Sequence, residues 1–287
     1  IQDINSTPAI GLDGTIYYAR SNNILYAVNP ADGSEKWNFP RPAGAGGKGM
    51  GHPAIAADGT IIIGSSDDGK VYSLTDNGQG VAPTVNWIFD TNGTDPHSAQ
   101  LPRSEIWSSP AIDQSGNIYF GTGDLQGNNG NSTWSIYSNG TFRWRFDTPN
   151  NGSCYSSPAI SEALDVIYIG SAQNATLGNG GHLYAIHASD GSLKWERDLN
   201  GKVASSPVIA VNQDIYVGSY DGNVYAFDPN GATAGGWGGA WPFPTGGEVH
   251  AAPSVADDDT IVVGSKDGKF YRINPDGTAY PTGIAGG

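Results

Sequence analysis

The residues of this sequence best suited to bind a polar ligand stand just before six prolines that recur along the chain. Positions five and three residues ahead of these prolines hold carboxylates, amines, an imidazole and aromatic rings, which form ion pairs, hydrogen bonds and stacking contacts. The prolines are Pro8, Pro53, Pro110, Pro158, Pro207 and Pro253. The candidate ligand-binding residues are Lys48, Glu105, Trp107, Tyr155, Lys202, Glu248 and His250. Because the residue types differ from one proline to the next, the pattern favours one composite binding site.

The prolines open six copies of one repeat, spaced 45 to 57 residues apart. The copy Ala204–Asp228 contains three short runs rich in Val, Ile, Tyr and Phe, which predict antiparallel strands. Its Asp221-Gly222 pair is typical of a hairpin turn that needs positive φ. Most copies continue into a fourth run marked by tryptophan. The tryptophans expected to mark fourth strands are Trp37, Trp87, Trp144, Trp195 and Trp241.

Four strands per repeat at this period predict an all-β protein, namely a β-propeller of six four-stranded antiparallel blades. The blades are expected to start near residues 6, 51, 108, 156, 205 and 251 and to form a single domain over residues 1–287. A larger ring is the alternative if the chain is truncated. In the propeller, the segments before the prolines should converge on an axial funnel. There Trp107 and Tyr155 either contact a ligand or plug the channel.

Charge and cysteine content exclude several classes of partner and site. The chain has 28 acidic and 14 basic residues and a net charge of −14, so it lacks the basic surface that nucleic-acid binding requires. Its one cysteine, Cys154, excludes an intramolecular disulfide and is expected to be a small buried filler. No apolar run is long enough to span a membrane. A low lysine content and an acidic pI favour an extracellular or periplasmic protein.

Three further stretches have both a functional and an ordinary interpretation. Asp90–Asp95 places oxygen-bearing side chains around a glycine, as calcium loops do, but a solvated polar turn is the favoured interpretation. The stretches 123–131 and 172–180 lengthen the same turn in consecutive repeats. They are expected to project from one face, either as a binding rim or as tolerated surface loops.

The repeated motifs resemble those of the pyrroloquinoline-quinone-type (PQQ-like) propeller family. They read Ser-Ser-Pro-x-Ile, Ile-Tyr-x-Gly-Ser, Asp-Gly-x-Val-Tyr-Ala-x-Asp and Gly-x-x-x-Trp, across nearly the whole chain. The resemblance implies a propeller, and a function drawn from a varied family. That family includes quinoprotein alcohol and glucose dehydrogenases, a periplasmic lipoprotein that aids outer-membrane protein assembly, and binding or sensor domains. Its dehydrogenases usually have eight blades, adjacent cysteines, and a calcium held by Glu, Asn and Asp.

Two hypotheses of function follow. The first is a non-enzymatic binding or scaffold module of an exported protein, part of a larger chain or complex, with a protein, peptide or carbohydrate ligand. It has no catalytic residues and no metal site, since the five histidines lack metal-ligand spacing. The second is a PQQ- and calcium-dependent dehydrogenase of alcohols or sugars, or a degenerate relative of one. PQQ and calcium would be its cofactors.

Overall fold

The computed structural model describes residues 4, 6–40, 50–66, 68–91, 93, 105–123, 131–149, 152–172, 180–233 and 240–281. The chain divides into two compact units, Ile1–Asp147 and Thr148–Gly287. In the described part of each unit nearly all regular structure is β-strand. The one helical segment among those residues is the short 3-10 turn Glu162–Leu164.

The first unit contains three four-stranded sheets. Sheet 1 consists of β1 (Ala9–Ile10), β2 (Ile16–Ala19), β3 (Ile24–Val28) and β4 (Glu35–Pro40). Sheet 2 consists of β5 (Ala54–Ile55), β6 (Ile61–Gly64), β7 (Lys70–Thr75) and β8 (Thr84–Asp90). Sheet 3 consists of β9 (Ala111–Ile112), β10 (Ile118–Gly121), β11 (Ser132–Ile136) and β12 (Phe142–Asp147). In every sheet, strands adjacent in sequence pair antiparallel, as the repeat predicts.

The second unit contains two four-stranded sheets and one sheet with three strands in its described part. Sheet 4 consists of β13 (Ala159–Ser161), β14 (Val166–Gly170), β15 (Gly181–His187) and β16 (Leu193–Leu199). Sheet 5 consists of β17 (Val208–Ile209), β18 (Ile215–Gly218), β19 (Asn223–Phe227) and β20 (Phe243–Pro244). Sheet 6 consists of β21 (Ser254–Val255), β22 (Ile261–Gly264) and β23 (Phe270–Ile273). The prediction of an all-β protein built from six antiparallel meanders is confirmed.

The first serine of the Ser-Ser-Pro motif ties the pre-proline segment to the second strand of its own sheet. The Ser108 hydroxyl donates to the Gly121 carbonyl at 3.2 Å and accepts from the Gly121 N–H at 2.8 Å. Ser156 and Gly170 repeat this pair of bonds at 3.1 and 2.6 Å. Because proline has no backbone N–H to donate to a neighbouring strand, the hydroxyl group of the serine two residues earlier makes this link.

Alternating side chains of neighbouring sheets form the cores inside each unit. In the first unit, the face of sheet 1 that carries Tyr17, Leu25 and Trp37 packs on Ile61 and Ile63 of sheet 2. The opposite face of sheet 2 packs on sheet 3 in the same way. In the second unit, sheets 4 and 5 share a third such core, and sheets 5 and 6 a fourth. Each four- to seven-residue strand is thus stabilised mainly by burial against the next sheet.

The tryptophans of the outer strands join one sheet to the next. Trp37, Trp87, Trp144 and Trp195 lie in fourth strands as predicted, and Trp241 lies two residues before β20. Four indole N–H groups donate to the turn after the third strand of the following sheet. The bonds are Trp37 to the Asp76 carboxylate (2.7 Å), Trp87 to the Ser138 carbonyl (2.9 Å), Trp195 to the Pro229 carbonyl (3.0 Å) and Trp241 to the Pro275 carbonyl (3.1 Å).

A glycine in the accepting turn makes room for the indole. Gly140 has a φ of +80° and a Cβ added there would lie 2.5 Å from a ring atom of Trp87. The corresponding distance is 2.8 Å between Gly231 and the Trp195 ring. Glycine is therefore required at both positions for two reasons: the backbone there is left-handed, and a side chain would collide with the indole ring.

Replacement of Trp195 by alanine should destabilise the second unit by about 3 to 5 kcal/mol. The side chain is 8% exposed and packs against Tyr168 and Phe227, so its loss leaves a cavity as well as an unpaired Pro229 carbonyl. Denaturant unfolding measures the change. Trp195→Phe, which keeps an aromatic ring but lacks the N–H, should cost less. Near-normal stability of Trp195→Ala would contradict the assigned role.

Stability should fall in acid through Asp76. Burial raises the pKa of this carboxyl, but hydrogen bonds from Gly78, Tyr17 and Trp37 and the charge of Lys36 outweigh burial and hold the pKa below 3.8. A carboxyl whose pKa is lowered by folding stabilises the protein above its unfolded pKa, and this contribution disappears as the pH falls through the lower folded pKa. The difference in unfolding free energy between the natural protein and Asp76→Asn should be constant near neutral pH and shrink below about pH 4. A difference that does not change with pH would refute this role.

Candidate functional site

Backbone hydrogen bonds hold the segments before Pro110, Pro158, Pro207 and Pro253 in one common conformation. The residue five places before the proline pairs with the chain two residues beyond the glycine that ends the second strand. The bonds are Glu105 N–H to Gly123 carbonyl (2.9 Å), Ser153 N–H to Ala172 carbonyl (2.8 Å), Tyr220 N–H to Lys202 carbonyl (3.0 Å) and Lys266 N–H to Glu248 carbonyl (2.9 Å). The frame is therefore fixed, while the side chains on it differ.

In sheets 3 to 6 the residue four places before the proline belongs to the core, whereas in sheet 1 this residue, Ile4, is 56% exposed. Ile106, Cys154, Val203 and Val249 hold this position, and all four are fully buried. A Cβ added to Gly64 would collide with Ile106, and Gly218 has the same relation to Val249. Cys154 is thus a core residue equivalent to Ile106, Val203 and Val249, as the filler interpretation predicts. The predicted site residues stand on either side of this buried position.

In the first unit, the structure brings Glu105 and Trp107 together. The indole Nε1 of Trp107 donates to Oε2 of Glu105 at 2.8 Å. Glu105 is 8% exposed, whereas Trp107 is half-buried. The buried carboxylate therefore holds the orientation of a ring that keeps a surface for contact.

In the second unit, Glu248 and His250 form the centre of a polar cluster. Oε2 of Glu248 lies 2.7 Å from Nε2 of His250 and 3.2 Å from Nζ of Lys266. The His250 ring stacks on Tyr220, with centroids 3.7 Å apart and planes 7° apart. Hydrogen bonds from His250 and then from Lys266 lower the pKa of Glu248, while burial and then the charge of Glu248 raise the pKa of Tyr220.

Sequence analysis missed Tyr220 and Lys266. Both stand two residues after the glycine that ends the second strand, which is the position that pairs with the residue five before the proline. Counting two residues beyond the glycine that ends the second-strand motif could therefore have identified them. The strand register that places these residues beside the pre-proline segment is a property of the folded sheet.

The remaining predicted site residues are Tyr155, Lys202 and Lys48. Tyr155 is half-buried, and its N–H donates to the Ser153 carbonyl at 3.2 Å. Lys202 is half-buried, and Lys48 lies outside the described residues. Half of the calcium-like stretch Asp90–Asp95 and most of the two lengthened turns also lie outside them. The convergence of all these segments on one axial funnel stays a prediction.

The residues do not fit a quinone–calcium centre of the dehydrogenase type. The sequence has no second cysteine to pair with Cys154, whose side chain is fully buried in the core. Within the described ranges, no group of three or more His, Cys, Asp or Glu side chains is placed to hold a metal ion. In the same ranges no helix has the length and apolar character of a membrane span.

The geometry of this cluster predicts that the pKa of the Glu248 carboxyl depends on His250 and Lys266. The pKa of Glu248 should lie below 4.5, and His250→Ala or Lys266→Met should raise it, because each removes a hydrogen bond to the ionised form. Carbon-13 NMR of the side-chain carboxyl measures the change. Lys269→Met is the matched control, since Lys269 lies 3.8 Å from Asp267 instead. If all three variants leave the titration unchanged, the cluster does not form in solution.

Comparisons with known proteins identify solved structures of similar architecture. The chain is similar to the structure of the Dos1 propeller, with a TM-score of 0.68 and 12% identity over 98% of this chain and 75% of that one. It is also similar to the quinohemoprotein alcohol dehydrogenase from Comamonas testosteroni, with a TM-score of 0.65 and 13% identity over 91% of this chain and 51% of that one. A third similar structure is BamB from Moraxella catarrhalis, with a TM-score of 0.50 and 16% identity over 92% of this chain and 81% of that one.

At these identities the likenesses show the fold alone, and they confirm the β-propeller prediction. The chain spans about half the length of the alcohol dehydrogenase it matches. A search of curated protein sequences found no match. The family model described as outer membrane protein assembly factor BamB matches residues 2–123 and 128–279. Because these two segments include most of the sequence, the chain belongs to this PQQ-like propeller family.

Proposed function

We propose that this chain is a non-enzymatic binding module of an exported protein and that it recognises a polypeptide. The observation that carries the proposal is the contrast between frame and side chains in the segments before the prolines. In sheets 3 to 6 their backbones are fixed by repeated hydrogen bonds, whereas the pair of side chains at positions five and three is different in each repeat. A rigid frame with unlike polar and aromatic groups is a suitable binding surface.

The chemistry of these groups suits a peptide with basic and aromatic residues. Trp107 offers a ring whose orientation Glu105 fixes, and the cluster around Glu248 offers hydrogen-bond donors and acceptors beside the Tyr220–His250 stack. A net charge of −14 attracts basic partners and speeds their association. The family description, an outer membrane protein assembly factor, also supports protein binding and an extracytoplasmic location.

Trp107→Ala tests this function. An array of short peptides that vary in charge and aromatic content first identifies a binding sequence, and fluorescence anisotropy then measures Kd for that peptide. If Trp107 is part of the binding surface, Trp107→Ala should weaken binding by about 2 kcal/mol, or roughly thirtyfold, with a modest loss of stability. Glu105→Gln should weaken binding less, because it removes only the charge that orients the ring.

Tyr137→Ala is the matched control, because Tyr137 is an exposed aromatic residue of the same unit that lies outside the pre-proline segments. It should bind the peptide normally. If Trp107→Ala lowers the melting temperature without changing Kd, Trp107 has a packing role and the proposed site is wrong. Binding to oligosaccharides but to no peptide would replace the polypeptide with a carbohydrate ligand.

The alternative function, oxidation of alcohols or sugars with PQQ and calcium, has in its favour only the fold shared with a quinohemoprotein dehydrogenase, since the single cysteine does not fit the adjacent cysteines of the family's dehydrogenases. Mixing the protein with PQQ and calcium and following dye-linked oxidation of alcohols and sugars distinguishes the two functions. The binding-module proposal predicts no activity above that of the free cofactor. Turnover that requires the protein would overturn it.

A further inference from the structure

A cavity of about 380 Å³ lies between sheets 5 and 6, inside the second unit. Its volume falls within the usual range for a small-ligand site. The cavity lies near the start of β18, whereas the pre-proline segments pair beyond the glycine that ends this strand. It is therefore separate from the candidate site described above. Three apolar and three polar residues line it, namely Ala210, Val211, Pro275, Asn212, Tyr216 and Asp259.

The Tyr216 side chain lines this cavity, and its hydroxyl has no hydrogen-bond partner among the described residues. The side chain is only 1% exposed. In sheet 1 the equivalent tyrosine, Tyr17, donates to Asp76 of the next sheet at 2.7 Å. In sheet 6 the position of Asp76 is held by Pro275, which has no side-chain acceptor. Because a buried polar group without a partner is costly, the hydroxyl indicates an interaction that these residues do not provide.

The charges around this hydroxyl are negative. Asp259 lines the cavity and forms no ion pair with a described residue. Asp214 is 8% exposed, and it accepts a hydrogen bond from the side-chain amide of Asn212 at 2.7 Å. Burial, and then the charges of Asp214 and Asp259, raise the pKa of Tyr216 to about 12, so the hydroxyl is neutral and able to accept a hydrogen bond. A cationic hydrogen-bond donor satisfies both the hydroxyl and the carboxylates.

The first unit shows which cation suits such a place. Between sheets 1 and 2, at the corner formed by the turn before β2 and the turn after β7, Nζ of Lys36 lies 3.1 Å from Asp13 and 3.6 Å from Asp76. The residue before the outer-strand tryptophan is Lys36 in sheet 1 but Ala240 in sheet 5. The chain therefore places its own ammonium group at this corner of the first unit, and Ala240 brings none to the corresponding corner of the second.

We propose that the cavity between sheets 5 and 6 binds a primary ammonium group on an alkyl chain, as found in a lysine side chain or a free alkylamine. The ammonium donates to the Tyr216 hydroxyl and pairs with Asp259, while Asp214 adds to the negative potential. The methylene groups lie against Pro275 and Val211, which is 89% exposed and offers uncovered apolar surface. A cavity with apolar and acidic groups matches the two parts of such a ligand. The site does not depend on the proposed polypeptide-binding surface.

NMR titration of the whole chain at physiological ionic strength tests the site. Nα-acetyl-lysine N-methylamide should shift the Val211 methyl and Asn212 side-chain amide resonances to saturation, whereas Nα-acetyl-norleucine N-methylamide, which has no ammonium, should not. If n-butylamine also saturates these shifts, the ammonium and its alkyl chain suffice; if only the lysine derivative does, the ligand is a lysine of a polypeptide. Saturation by neither amine, equal shifts by the norleucine derivative, or shifts by calcium alone would overturn the proposal.

Two substitutions with matched controls test the contacts. Asp259→Asn should weaken binding about tenfold or more, whereas Asp257→Asn, which removes an exposed charge of the same turn outside the cavity, should not. Tyr216→Phe removes only a hydroxyl without a partner, so it should keep the melting temperature and weaken binding roughly fivefold. Tyr168→Phe is its control, because the Tyr168 hydroxyl is also buried without a partner but does not line the cavity. Unchanged affinity in either Asp259→Asn or Tyr216→Phe would overturn the proposed contacts.

Discussion

Within each unit, the structure depends on the contact between an outer-strand indole and the turn of the next sheet. A sheet of four short strands has two large faces and too little core of its own to be stable alone. The apolar faces supply most of the burial, but burial is non-directional and does not by itself select a register between sheets. The indole N–H is directional, and its bonds of 2.7 to 3.1 Å fix the relative position of consecutive sheets inside a unit.

The same division between frame and variable side chains explains how one fold can carry a site. In the pre-proline segments of sheets 3 to 6, the residue four before the proline is buried, while the pair of residues on either side of it differs from sheet to sheet. Ile106 is fully buried while Trp107 beside it keeps exposed surface. Because the backbone is held by the Ser-Ser-Pro serine and by the pairing beyond the second strand, replacing a neighbouring side chain leaves the frame intact. Packing and side-chain variation therefore fall on alternate residues of one segment.

Much of the fold could be predicted from the sequence because the repeat supplies the same evidence six times. A single apolar run such as Ile215–Gly218 is ambiguous, but six runs of this type at a regular spacing, followed by short polar turns, leave one architecture. The tryptophans were predicted for the same reason. What the repeat could not reveal were contacts between unlike positions, such as Asp76 with Tyr17 and Trp37, or Tyr220 with His250. These contacts join residues from different strands, so they depend on register and not on period.

Sheet 1 shows how small departures from the repeat change the electrostatics of one face. In sheets 2, 5 and 6 a tyrosine of the third strand donates to an aspartate in the preceding turn, as Tyr225 does to Asp221. In sheet 1 the corresponding residue is Asn22, which bonds to Tyr26 without a negative charge. Among the residues that the structure describes, no carboxylate pairs with the nearby guanidinium of Arg20, which lies 5.5 Å from the Tyr18 ring centroid and 4.6 Å from that of Tyr26. With Asn22 in place of the turn aspartate, this part of sheet 1 therefore carries a cation beside two aromatic rings and no aspartate bonded to Tyr26.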